Sequence, residues 1–279
     1  MTAPFTIARP SRDTPLLYDS PHSGRLYPAD FTLGAPLLDV RRGEDAYVDE
    51  LLADSPAEGA TLLTATYPRC YIDVNRDARD IDAALLAEPW PEPLAPSEKT
   101  ARGLGLIRRF VVPGVEAQGR LLTVRDVRAR IDDAYRPYHA ALDTLVHELH
   151  ERFGAVWHVD WHSMKSVGNT MTPDGEGASR ADFVVSDRRG ASAAPRVTGL
   201  VADTLRAFGY SVSVNDPYTG GTIVQRVGRP ADGVHSVQIE INRRLYLDEL
   251  AVEKTAGFPA LAERLTALTR ALAVEAMRS

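Results

Sequence analysis

The chain has 279 residues, 44% of them hydrophobic and 25% charged, which is enough apolar material for a large core and argues against disorder. Lys and Arg number 32 against 38 Asp and Glu, a formal charge of −6 without a basic block, which excludes nucleic acid as the main partner. A single cysteine, Cys70, excludes an internal disulfide framework and a CxxC-type metal site, and no apolar run approaches the roughly 20 residues of a membrane span.

The N-terminal stretch MTAPFTIARPSRD lacks a basic segment followed by an apolar one, so no secretory signal and a cytoplasmic protein are expected. Residues 16–18 read as a short buried strand running into Asp19-Ser20-Pro21-His22-Ser23-Gly24. Val48, Leu51 and Leu52 stand at helical spacing, which predicts a helix over 45–52 with Asp45 in its first turn. Strands are expected over 61–66 and 71–74, separated by a Pro-containing turn. Residues 88–119, with Pro89, Pro91, Pro93 and Pro96 and several glycines, form an insert too irregular for one element and suited to covering a site.

A long amphipathic helix is expected over 124–152, bent or interrupted at Pro137. Residues 155–160 read as a central strand ending in Trp161-His162-Ser163, followed by a short strand over 183–186. A helix over 194–208 closes at Gly209, strands follow over 210–214 and 234–241, and Leu261, Leu265, Leu268 and Leu272 mark a C-terminal helix. The alternation predicts one three-layer α/β/α domain over 1–279, with helices on both faces of a mixed sheet and a Pro-rich insert around 88–119.

His22 and His162 each stand directly after a predicted strand, where ligands collect in open α/β sheets. Catalytic zinc takes three His, Asp or Glu ligands, so these two histidines need a third; Glu44 and Asp45 compete for it, and spacing alone does not choose. His158, Asp160 and His162 alternate and share a face, with Asp160 read as the acceptor that orients a ligand histidine and His158 given no metal role. Glu240 lies in Val237-Gln238-Ile239-Glu240-Ile241, a charge in a central strand that suits a base for activating water. Arg69, Arg76 and Arg243, with Asn75, sit at the ends of predicted strands as partners for the carboxylates of a small anionic substrate. A structural ion pair remains the other reading of each charged residue, and a non-catalytic metal or carboxylate-binding protein the other reading of the set.

SPHSGRLYP, RGEDAYVDEL, YPRCYIDVNRD, VDWHSMKS, NDPYTGGTIVQRVGRP and VQIEINRRLYLDE occur in this order between about residues 18 and 250. Together they resemble the N-formylglutamate amidohydrolase family. The resemblance implies a zinc-carboxypeptidase-like (phosphorylase/hydrolase-like) fold and hydrolysis of the formamide of N-formyl-L-glutamate or a close N-acyl amino acid. It implies a divalent metal, zinc by the family's expectation, held by His22, His162 and Asp45 rather than Glu44, with Glu240 as base. Another acidic amide is the alternative substrate, since INRRLY and the long insert look more like the broader family than its histidine-degrading deformylase.

Overall fold

The computed structural model of the protein describes residues 3–278. In chain order its strands are β1 (Phe5–Ala8), β2 (Leu16–Ser20), β3 (Thr61–Ala65), β4 (Phe110–Val112), β5 (Val115–Glu116), β6 (Val156–Met164), β7 (Phe183–Ser186), β8 (Val212–Val214), β9 (Val234–Asn242), β10 (Leu247–Asp248) and β11 (Glu253–Lys254). The helices are α1 (Leu37–Arg41), α2 (Val48–Leu51), α3 (Glu98–Ala101), α4 (Val124–Arg130), α5 (Arg136–Phe153), α6 (Pro195–Ala207), α7 (Thr222–Val227) and α8 (Gly257–Ala276).

Seven strands make one mixed sheet in the order β1-β3-β2-β6-β9-β7-β8. The central strands β3, β2, β6 and β9 are parallel, while β1 and β7 run antiparallel to β3 and β9. Period-two alternation divides the side chains. Leu16, Tyr18, Val159, Trp161, Ile239 and Ile241 pack with Val197 and Val201 of α6 and Leu261, Leu265 and Leu268 of α8. The alternate positions Leu17, Leu63, Val156 and Val234 pack with Leu142 and Leu145 of α5 and Ile223 and Val227 of α7. Each such buried aliphatic side chain contributes roughly 1.5–3 kcal/mol, which offsets the polar stripe the same sheet carries. On that stripe His158, Asp160 and His162 of β6 stand in register opposite Ser236, Gln238 and Glu240 of β9.

Three local expectations change, and one is met. Asp45 does not open a helix: α2 begins only at Val48, because Tyr47 takes a left-handed conformation (φ 63°) that no helix continues through. Residues 71–74 are a buried turn rather than a strand; Tyr71 N–H bonds Pro68 O, and Asp73 N–H bonds Leu106 O, so this backbone pairs with the insert instead of the sheet. The helix over 124–152 is interrupted near Pro137 as expected, splitting into α4 and α5 around a π turn at Ile131–Tyr135, where the missing N–H of Pro137 removes a helical bond. β6 continues to Met164, so His162 lies within the strand rather than after it. The insert has its own core, in which Leu106, Ile107, Val111 and Leu122 pack on Phe31, Cys70 and Ile72. No helix among the described residues is long and apolar enough to cross a membrane.

Candidate functional site

His22 follows β2 by two residues, and its carbonyl accepts the Asp45 N–H at 3.0 Å, which joins the two loops that carry these side chains. His162 comes from the neighbouring strand β6. Three atoms converge. His22 Nδ1 lies 3.0 Å from His162 Nδ1 and 3.3 Å from Asp45 Oδ2, and His162 Nδ1 lies 3.0 Å from that same oxygen. Ligands about 2.0–2.1 Å from a tetrahedral ion stand about 3.3 Å apart, so this triangle has nearly the dimensions of three zinc ligands with a fourth position open. Among the described residues it is the one such cluster of His, Cys, Asp and Glu ligand atoms.

The groups behind the triangle fix its polarity. His22 Nε2 lies 2.7 Å from Asp73 Oδ1, and His162 Nε2 lies 2.8 Å from Asp160 Oδ1. Asp73 accepts the His22 Nε2–H and leaves the His22 Nδ1 lone pair facing the triangle, whereas Asp160 Oδ1 acts on His162 by its charge, the hydrogen-bond contact at His162 Nε2 being Asn75 Nδ2 at 3.0 Å. Asn75 Nδ2 donates to Asp160 Oδ2 at 3.3 Å, and its Oδ1 accepts from Ile223 N–H at 2.8 Å. Asp45 Oδ1 is held by Arg69 Nη1 at 3.3 Å and Arg243 Nη2 at 3.2 Å, which turns Oδ2 inward. Burial opposes the charge of Asp45, yet Arg69 and the two histidines hold its carboxyl well below the usual range. Burial and the Arg69 guanidinium push His22 down to about 4, so its ring is neutral at ordinary pH. Burial also opposes a charged His162, but Asp160 and Asp45 outweigh it and raise its pKa well above the usual histidine value. Glu44 is turned away, accepting from Tyr27 Oη and from Arg41 Nε, the latter at 3.4 Å.

Glu240 stands opposite His162 in register, on a strand about 4.8 Å away. Burial raises its pKa above the ordinary glutamate value. Its Oε1 accepts from Gln238 Nε2 at 2.9 Å, and Gln238 Oε1 in turn accepts the Gly221 N–H at 2.7 Å. The triangle and Glu240 open onto a cavity of 370 Å³ lined by nine Lys and Arg side chains but only three carboxylates. In a chain of charge −6 that concentration of cations marks the place for an anion. Crowding shows in the titration: Arg76 pushes Lys99 down to about 7, and burial with Arg243 pushes Lys165 down to about 8.

The eight residues expected to hold metal or substrate or to act as base, His22, Asp45, Arg69, Asn75, Arg76, His162, Glu240 and Arg243, line this one cavity, whereas Glu44, His158 and Asp160 do not. Their contacts differ. Asn75 and Arg243 direct their polar atoms into protein, Arg243 bonding Ser163 Oγ and the carbonyls of Arg42 and Glu44 besides Asp45. Arg76 bonds the Leu104 and Asn75 carbonyls and keeps Nη2 3.8 Å from Asp73, while Arg69 bridges Asp45 and Asp73. Sequence reasoning missed the tie between Asp73 and His22, the Gln238 contact to Glu240, and Arg108 and Tyr218 in the cavity wall. Gln238 had a signal, since it shares a strand face with Glu240. Asp73 and Arg108 had none, because irregular backbone carries both.

Fold and site together define an α/β protein with a candidate cation centre at the strand ends and a cleft for an anionic ligand. The family profile of N-formylglutamate amidohydrolase matches residues 14–247. The N-formylglutamate deformylase of Pseudomonas aeruginosa is 30% identical over 85% of this chain and 84% of its own length. That of Pseudomonas putida is 29% identical over 84% of this chain and 82% of its own. The crystal structure of an N-formylglutamate amidohydrolase from Ralstonia eutropha superposes with a TM-score of 0.92 at 45% identity, covering 99% of both chains. The chain belongs to the N-formylglutamate amidohydrolase family, and is an amidohydrolase by that membership.

Proposed function

We propose that the protein hydrolyses the formamide bond of N-formyl-L-glutamate, or of a close N-acyl amino acid, to formate and the free amino acid, with a divalent metal, most suitably zinc. The observation that carries this reading is the His22–Asp45–His162 triangle at tetrahedral spacing with buried Glu240 directly across the strand pair. An ion held by those three side chains supplies Lewis-acid activation of water and of the formyl carbonyl. Glu240, its basicity raised by burial, takes the proton of the attacking water and delivers it to the leaving amine as the C–N bond breaks. Arg69, beside Asp45, faces the oxyanion that develops on the former carbonyl oxygen. Arg76 offers a cation to a substrate carboxylate, while Asn75 and Arg243 hold Asp160 and Asp45 in place.

On this reading the fold is a three-layer zinc-carboxypeptidase-like α/β/α arrangement, with α6 and α8 on one face and α5 and α7 on the other. The alternative of a purely binding protein leaves Glu240 without a purpose, since it pairs with no arginine within ion-pair distance among the described residues. The test is formate release from N-formyl-L-glutamate by protein loaded with zinc and by the same protein after chelation. Release that stops on chelation and returns with metal is the expected result; formate release indifferent to chelation, or none in the loaded protein, overturns the reading.

A further inference from the structure

Arg108 belongs to the Pro-rich insert and reaches the cavity that holds the triangle. Its side chain is 9% exposed, its Nε is buried without a hydrogen-bond partner, and no guanidinium hydrogen bond to another described residue is present. The nearest carboxylate, Asp73 Oδ2, stands 3.6 Å from Nε, and that oxygen already receives Arg69 at 3.0 Å. By contrast Arg180 grips Asp174 through two bonds of 2.7 Å, and Arg243 and Arg76 are bonded to carbonyls. A buried arginine whose donors are unspent is costly unless a ligand completes it. Burial and the nearby Arg69 push its pKa down to about 10, against the opposing pull of Asp73.

Its position separates it from the reacting bond. Asp73 Oδ2 stands within 4 Å of Arg69, Arg108 and Arg76 alike, at 3.0, 3.6 and 3.8 Å, but of these three only Arg69 also reaches Asp45. The group at the reacting bond therefore falls to Arg69, and a carboxylate several bonds further along the substrate falls to Arg108, whose donors, unlike those Arg76 gives to carbonyls, are unspent. We propose that Arg108 binds the distal, side-chain carboxylate of the substrate and so sets a preference for an acidic over a neutral amino acid. The assignment rests on the proposed function for the reaction, but its binding preference is measured separately.

The test uses calorimetric binding of L-glutamate and L-glutamine to zinc-loaded wild type, Arg108→Gln and Arg108→Lys, with formate release from the N-formyl derivatives measured in parallel. Wild type is expected to bind glutamate about 10- to 100-fold more tightly than glutamine. Arg108→Gln removes most of that preference while glutamine binding stays within about threefold, and Arg108→Lys restores part of it. An undiminished preference in Arg108→Gln overturns the proposal, as does equal loss of both ligands in both variants, which marks a merely structural arginine. If the preference depends on Arg108 but no N-formyl amino acid is hydrolysed, the deformylase reading fails and the binding site stands; formate release with a preference indifferent to Arg108 has the opposite meaning.

Discussion

At the residue scale, Glu240 and Gln238 give the sharpest consequences. Glu240→Gln keeps the shape and the Gln238 neighbour but cannot take a proton, so turnover falls by roughly 10²- to 10⁴-fold while bound metal, measured by elemental analysis, is unchanged. A variant that also loses its metal places Glu240 among the ligands instead. The pH dependence follows from the same contact. Burial raises the Glu240 pKa and the base works only when ionised, so kcat/KM rises with pH through an acid limb above the ordinary glutamate value near 4.3. The Gln238 N–H stabilises the carboxylate, so Gln238→Leu raises that pKa further and moves the limb to higher pH. A limb that stays in place or moves down contradicts the assignment. His22, His162 and Glu240 were legible because a polar group at or in an apolar strand stands out against its period-two background. Asp45 was not separable from Glu44 by spacing: both are buried, and long-range partners distinguish them, Tyr27 and Arg41 claiming Glu44 while Asp45 meets His22, His162, Arg69 and Arg243.

At the element scale, α7 shows why the NDPYTGGTIVQRVGRP segment contains a glycine pair. The loop entering α7 packs on Asn75 so closely that a Cβ on Gly221 would stand 2.4 Å from Asn75 Oδ1. The need is for space, since the backbone at Gly221 is extended (φ −93°). The neighbour that claims this space is Asn75, which holds Asp160 behind His162. Gly221→Ala is expected to cost about 1–3 kcal/mol in urea unfolding and to weaken metal affinity, because the displaced Asn75 lets Asp160 and His162 shift. Full stability with unchanged zinc affinity refutes this coupling. Helix α7 itself had escaped sequence reading: at six residues it is too short for a periodic signal. Central strands β6 and β9, each nine buried residues, were the most legible elements, whereas the edge strand β1, largely exposed, left no pattern.

At the scale of the whole molecule, the alternation of strands and helices gave away the α/β class, but sheet order and the antiparallel placement of β7 depend on contacts between distant segments. Those long-range contacts also make metal and stability one problem. The triangle draws Asp45, His22 and His162 from three separated stretches, and Asp73 and Asp160 brace it from two sides. An ion that binds this arrangement and not the unfolded chain stabilises the native state by about 2.7 kcal/mol at a free concentration near 100 times Kd. For a chain of this size that corresponds to a rise of roughly 5 °C in Tm. Scanning calorimetry of zinc-loaded and chelated protein is expected to show it, with Asp45→Asn losing the difference and Glu44→Gln retaining it, because the Glu44 carboxylate is turned to Tyr27 and Arg41. Equal Tm values with and without zinc would mean that the triangle binds no metal; a metal-dependent rise lost in Glu44→Gln but kept in Asp45→Asn would exchange the two acidic residues.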